Sequence, residues 1–506
     1  MAKTKIKVKL GTLPKEPCEI GALYLFEDAP LSPIAEALDK ALDGAISSLI
    51  KKGEFKPGVN RSYLLHTYGK VPVKRLLLEG LGKEKEFSPD KLRQATGMAA
   101  HEARYLGLKD LTLSLHPTVL NDVSKTSQSI VEGGLLGLYR FERFKHPEEP
   151  EEKKELESVI LLVEDAKQLE AAKEGARRGE IISEATCFTR DLVNLPPNEA
   201  TPAMLARTAK EMAMELGLKF KAWRGLDALE KLGMGGIVSA GRGSSNPSQF
   251  VTLEYGRKGR GDTIALVGKG VTFDSGGISL KPWKDMDKMK GDMAGAAAVL
   301  GTIRALAKLK IPLHVIGLLP LAENMPSGTA SRPGDIITCL GGKTVEIITT
   351  DAEGRLIVAD ALAYALRYKP KAIIDLATLT GACVVALGNF ASGLLGNNEE
   401  LKKRLKEAGE ASRERVWELP LWDEYDELMK SDIADMKNAG PGVAGAIVAT
   451  CFLKKFVEGY PWVHLDIAGT AWADKNGPYW REGGTGVGVR LLVELLSNWT
   501  EFASDK

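Results

Sequence analysis

The chain has 506 residues, more than one ordinary hydrophobic core accommodates, so two domains are expected, one of them large. Its 68 Lys and Arg nearly cancel its 67 Asp and Glu, which removes net charge as a reason to expect nucleic acid or a membrane surface as the main partner. The cysteines (Cys18, Cys187, Cys339, Cys383, Cys451) are odd in number, scattered and never spaced C-x-x-C, which argues against a disulfide framework or a thiolate zinc site and for a reducing cytoplasm.

The opening MAKTKIKVKLG lacks the apolar core of an export signal, and Ile6, Val8 and Leu10 alternate with Lys5, Lys7 and Lys9 as in a half-exposed strand. Residues 22–26 read as a second strand. Ser32-Pro33 then opens a helix with Ile34, Leu38, Leu42 and Ile46 on one face, and Ser88-Pro89 repeats the device before Leu92, Ala95 and Ala99. Strands are expected at 74–78, 111–115 and 158–163, the last following an acidic, aperiodic run at 146–157 that reads as a solvated loop. Helix formers fill 166–193. Beyond them, strands at 263–267, 314–319, 344–348 and 372–376 alternate with helices at 292–309 and 356–368.

The stretch 376–398 carries no charge over a bilayer-spanning length, but Thr378, Thr380, Asn389, Ser392 and its glycines make it a buried strand followed by a glycine-rich loop. The expected fold is α/β in two domains. A smaller N-terminal α/β domain covers 1–165, a connecting helix 166–194, and a larger C-terminal domain 195–506 has a mostly parallel central sheet covered by helices.

Three junctions of that second part carry polar residues that packing does not require. TTDAEGRL, 349–356, sets two acids and an arginine between a β-branched run and a helix; alone it reads equally well as a helix start, because acids complement the helix dipole. In IALVGKGVTFDSGGISLKP, Lys269, Asp274 and Lys281 stand in a turn thinned by Gly268, Gly270, Gly276 and Gly277. In MDKMKGDMAGAAAVL, Asp292 precedes a small-residue helix, where capping is the simple reading. Together Asp274, Asp292, Asp351 and Glu353 supply carboxylates that a parallel sheet would gather at one edge, and acids converging without cations repel. Divalent metal resolves that repulsion, and paired metals bridged by carboxylates activate water.

Competing motifs fail on their own terms. His101-Glu102-Ala103-Arg104-Tyr105 starts like a zinc-protease helix but ends in Tyr, and Gly342-Lys343-Thr344 lacks the leading glycine of a phosphate loop, where Ile337 stands. Gly241-Arg242-Gly243 lacks the third glycine of a dinucleotide fingerprint, Ser275 is not in a G-x-S-x-G elbow, and the lone His464 reads as a satisfied core residue.

TTDAEGRLIVADAL resembles NTDAEGRL, the signature of the leucyl aminopeptidase family of dinuclear-metal exopeptidases, with Thr349 in place of Asn. TRDLVNLPPNEATP, VGKGVTFDSGGISLKP, MKGDMAGAAAV, DIADMKNAG, HLDIAGTAW and TGVGVRLL resemble the family's other blocks in the same order. The resemblance implies that Lys269, Asp274, Asp292, Asp351 and Glu353 bind two divalent metals, Mn or Zn with Co or Mg as alternatives, and that Asp274 and Glu353 are shared between them. It further implies that Lys281 meets the scissile carbonyl and that Arg355 holds a bicarbonate serving as general base. A metal-bridging hydroxide would attack the first residue of a peptide whose free amine binds metal, and a leucine-like side chain would enter a pocket of Met289, Thr378, Gly381 and Ala468, with Leu379 offering backbone contacts.

The same resemblance implies a homohexamer acting on peptides with a free N-terminus, without membrane attachment. Two alternatives stand beside it: a dipeptidase or Cys-Gly peptidase on the same site, and an added DNA-binding regulatory role, which composition does not indicate. The chain departs from the family at Thr349 and at Ala439-Gly440-Pro441-Gly442-Val443, where a Gly-Arg-containing turn is common.

Overall fold

The computed structural model describes residues 4–115, 122–146, 154–259 and 261–500. They form two units: one runs to Glu184 and takes in Lys475–Arg481, the other runs from Ala185 to Asp474 and resumes at Glu482. The helix Leu169–Asn194 carries the chain from the first into the second. Most of the acidic run at 146–157 lies outside the described residues.

The first unit is a sheet of β1 (Lys5–Leu10), β2 (Gly21–Leu25), β3 (Ser62–His66), β4 (Arg75–Gly80), β5 (Asp110–Ser114) and β6 (Ser158–Val163), in the order β1-β6-β5-β2-β4-β3. All neighbours are parallel except the antiparallel pair β3 and β4. Because successive side chains point to opposite faces, Leu77 packs with Leu92, Ala95 and Ile130 while Leu76 and Leu78 pack with Ile34, Leu38 and Ile46. Ser32 caps Pro33–Ala41 by accepting from the Ala35 amide; Ser88 makes no such bond, so only proline marks the start of Pro89–Tyr105. The returning segment was not legible in the sequence: the Tyr479 hydroxyl donates to Asp90, and a side chain at Gly97 would strike the Pro478 carbonyl.

The second unit holds β7 (Lys219–Arg224), β8 (Gln249–Tyr255), β9 (Thr263–Gly268), β10 (Gly270–Asp274), β11 (His314–Asn324), β12 (Ile336–Thr338), β13 (Thr344–Glu346), β14 (Ala372–Ala377), β15 (Ser392–Gly396), β16 (Val416–Glu418), β17 (Met436–Lys437) and β18 (Trp462–Asp466). The main sheet runs β16-β15-β18-β14-β9-β11-β8-β7, with β10 also paired to β11. Its centre, β18, β14, β9, β11 and β10, is parallel; β15 and β8 run antiparallel to it. Helices Ala294–Leu309 and Glu353–Ala365 both pack on β9 and β11.

Two expectations need correction. Residues 344–348 do not belong to the main sheet: Gly341 and Gly342, both at positive φ, turn the chain back so that β13 pairs with β12 and β17 in a separate three-stranded sheet. The charge-free stretch is the end of β14, a helix at Gly381–Leu387 and the buried β15, and not a bare glycine loop. No helix among the described residues is long and apolar enough to cross a membrane.

His464 is, as expected, a core residue, but it is satisfied on one side only, since its buried Nε2 has no hydrogen-bond partner among the described residues. It is fully buried beside Asp375, its partner in register on β14, and its Nδ1 lies 2.6 Å from Oδ1 of that carboxylate, while Trp462 Nε1 donates to Oδ2 at 2.7 Å. Burial by itself would lower the His464 pKa; the Asp375 charge overrides it and holds the imidazole above its ordinary value. A raised folded-state pKa contributes stability that is complete below the unfolded value of about 6.5 and is lost as pH climbs through the folded value. Asp375→Asn should therefore destabilise the protein by about 3 kcal/mol at pH 6 and by clearly less at pH 9, as read from urea denaturation of both proteins; equal losses at the two pH values would contradict the linkage.

Candidate active site

Parallel strands that stop in register place their next residues side by side, beyond their carboxyl ends. Here Leu376 pairs with Gly268, Asp274 with Asn324 and Ala377 with Asp466, so Lys269, Asp274, Asn324, Thr378 and Asp466 share one edge of the sheet. The helix Glu353–Ala365 brings Glu353 and Arg355 to the same edge from its first turn. Asp292 arrives from the turn ahead of Ala294–Leu309, not as its cap: the helix begins two residues later, and the carboxylate accepts instead from the Thr378 hydroxyl at 2.7 Å and Lys269 Nζ at 2.8 Å. Every residue expected at the site, including Met289, Leu379, Gly381 and Ala468, lines one cleft of about 640 Å³.

Two ammonium groups hold the acids together. Lys269 Nζ lies 2.7 Å from Asp292 Oδ2 and 3.2 Å from Glu353 Oε1, and donates to the Thr378 carbonyl at 3.0 Å. Lys281 Nζ lies 2.7 Å from Asp274 Oδ2 and also contacts Asp351. Burial disfavours both cations, but the surrounding carboxylates outweigh it and raise both lysine pKa values. Burial also lifts the Asp292, Asp351 and Glu353 carboxyls above the ordinary range, and repulsion from Asp274 adds to each.

Glycine is required where backbone and lysine meet. A Cβ on Gly354 would sit 2.4 Å from the Lys269 stem, and Gly276 and Gly277 take positive φ of 86° and 68° to wrap the loop after Asp274.

The donor set fits divalent metal. Oxygens of Asp274, Asp351 and Glu353 lie within 4.8 Å of one another, and Asp292 Oδ2, though close to Lys269, has no hydrogen-bond partner among the described residues. Hard carboxylate oxygens with one amine suit Mn, Zn, Co or Mg. Arg355 shows the same pattern: Nη1 donates to the Asn438 carbonyl at 2.8 Å, but its buried Nε has no partner among the described residues. A guanidinium with one edge unused at a helix N-terminus is built for an anion.

Three supporting residues went unrecognised in the sequence. Asn324 Nδ2 donates to Asp274 Oδ1 at 2.8 Å and to the Thr350 carbonyl at 3.0 Å, tying β11 to the TTDAEGRL loop. Asn438 clasps that loop from the other side, accepting from the Ile348 amide and donating to the Thr349 carbonyl, both at 2.7 Å. Asp466 anchors the turn after β14. Lone Asn and Asp residues carry no spacing signal; only the DIADMKNAG and HLDIAGTAW blocks point toward Asn438 and Asp466. Thr349 accepts from the Asp351 amide at 3.2 Å through its hydroxyl, so this position still holds the turn without an Asn side chain. Lys288, also in the cleft lining, lies 3.2 Å from both Asp285 and Asp474.

Comparison with known proteins agrees with this geometry. Residues 187–493 match the catalytic domain, and 22–148 the N-terminal domain, of the cytosol aminopeptidase family. A probable cytosol aminopeptidase of Geotalea uraniireducens (strain Rf4) is 49% identical over 484 residues, covering 95% of this chain and 97% of its own. Among solved structures, the bottromycin maturation enzyme BotP in complex with Mn superposes with a TM-score of 0.83 at 34% identity, covering 95% of this chain and 99% of its own. A point mutant of tomato leucine aminopeptidase superposes with a TM-score of 0.86 at 34% identity, covering 98% of this chain and 96% of its own. With both domains matched and a carboxylate cluster suited to metal at the sheet edge, the chain belongs to the cytosol aminopeptidase family and is a metal-dependent aminopeptidase.

Proposed function

We propose that the cleft releases leucine-like N-terminal residues from peptides, with two divalent metals held by Lys269, Asp274, Asp292, Asp351 and Glu353 and a bicarbonate held by Arg355. The observation that carries this reading is the convergence of four carboxylates and two lysines on one cleft that also has an apolar wall. When bound, the metals would supply a water acidic enough to attack near neutral pH, and bicarbonate a general base. Manganese is the favoured ion, supported by the Mn complex of the similar BotP, with Zn next.

The two lysines divide the work by their exposure. Lys269 is 4% exposed and enclosed by acids, which suits a ligand once a bound dication drives off its proton; Lys281 is 21% exposed and reachable by substrate, which suits an ammonium meeting the oxyanion of the attacked carbonyl. Arg355, pinned by Asn438, presents its unused edge to an anion. Met289, Thr378, Leu379, Gly381 and Ala468 receive the first side chain, and a Cβ on Gly381 would meet nothing within 4 Å, so that glycine leaves room for substrate. The scattered cysteines, never spaced C-x-x-C, suit a reducing cytoplasm. Assembly is read as a homohexamer; a light-scattering mass near one chain would contradict it.

Chelation should abolish hydrolysis of leucine p-nitroanilide, and Mn or Zn should restore it with two ions per chain by elemental analysis; full activity in metal-free protein would overturn the reading. Lys281→Ala should lower kcat about 10²- to 10³-fold, the effect of losing one oxyanion donor, while metal content stays unchanged. Gly381→Val should cut kcat/KM for leucyl substrates about 10- to 100-fold, in the range set by small changes of pocket volume, and spare alanyl substrates; equal loss on both would place the pocket elsewhere.

A further inference from the structure

Asp466 ends β18 with its side chain fully buried; the Arg355 guanidinium is near enough for the two charges to interact, but among the described residues no cation lies within ion-pair distance of it. A buried carboxylate without a partner cation is costly unless hydrogen bonds replace the lost water. The bonds that do so here come from the cleft wall. Oδ1 accepts from the Leu379 amide at 3.2 Å and from the Ala468 amide at 3.1 Å, and Oδ2 accepts from the Thr380 hydroxyl at 2.7 Å. Thr380 Oγ1 in turn accepts from the Cys383 amide at 3.1 Å, capping the helix Gly381–Leu387 whose first residue is the open glycine of the wall.

One carboxylate thus ties two loops, 378–381 and 468, to each other. Ionised, it can accept all three hydrogen bonds at once; a neutral amide at this position offers one acceptor oxygen and would turn a donor toward Thr380. We propose that Asp466 is the positioning residue that sets the width of the first-residue pocket and therefore the choice among N-terminal side chains. The proposal rests on the reading that Met289, Thr378, Leu379, Gly381 and Ala468 form that pocket.

The test compares kcat/KM for leucine and alanine p-nitroanilides in the Mn-loaded wild type, Asp466→Asn and Thr380→Val, with metal content and thermal unfolding measured alongside. The expected result is a leucine-to-alanine ratio lowered about tenfold in Asp466→Asn, mainly through KM for the leucyl substrate, with two metals retained, and a smaller drop in Thr380→Val, which removes one of the three bonds. Folded, metal-loaded variants that keep the wild-type ratio would overturn the proposal, as would loss of metal with both activities lowered in the same proportion. If Asp466→Asn does not fold, the ratio in Thr380→Val decides. A wild-type ratio near one would instead overturn the pocket assignment itself.

Discussion

The buried ammonium of Lys269, between Asp292 and Glu353, is the contact on which the second unit's functional edge depends. Like charges held this close in a low-dielectric setting repel unless a cation stands among them. Lys269 supplies that cation from the end of β9, and Lys281 does the same for Asp274 and Asp351 from the loop after β10. The remaining charge imbalance, four carboxylates against two ammonium groups, is what divalent metal would offset. Metal binding and the architecture of the sheet edge are therefore one electrostatic problem.

That problem shapes local backbone choices. Gly354 is bare because the Lys269 stem occupies the space of its side chain, and Gly276 and Gly277 adopt positive φ so that the loop after Asp274 can fold back toward Thr350. Around the acids lies a ring of amide side chains and buried carboxylates: Asn324 joins two metal-facing segments, Asn438 holds the TTDAEGRL backbone, and Asp466 holds the wall. Groups that must stay within a few tenths of an ångström of productive geometry need such support, since a side chain on a loop is otherwise poorly located.

The two buried aspartates on neighbouring strands illustrate how context assigns different roles to one residue type. Asp375 meets an imidazole and an indole in the sheet interior and serves stability. Asp466 meets backbone amides and a hydroxyl at the strand end and serves the cleft. Strand position alone separates them: residues within a covered parallel sheet face packed layers, while those just past its carboxyl edge face the crevice.

The sequence alone determined the α/β class and singled out the acids and lysines that the structure gathers in one cleft, because these rest on periodicity and short contiguous motifs. It was silent on the partners of those residues. Asn324 sits five residues past the strand end expected at 319, Asn438 and Asp466 are single polar residues without spacing, and Lys475–Arg481 returns to a unit whose other residues lie far earlier in the chain. It also misplaced 344–348, since a short apolar run looks the same in a main sheet as in a side hairpin. Tertiary structure alone decided these points, because hydrogen bonds and burial between residues 26 to 389 positions apart leave no local pattern to read.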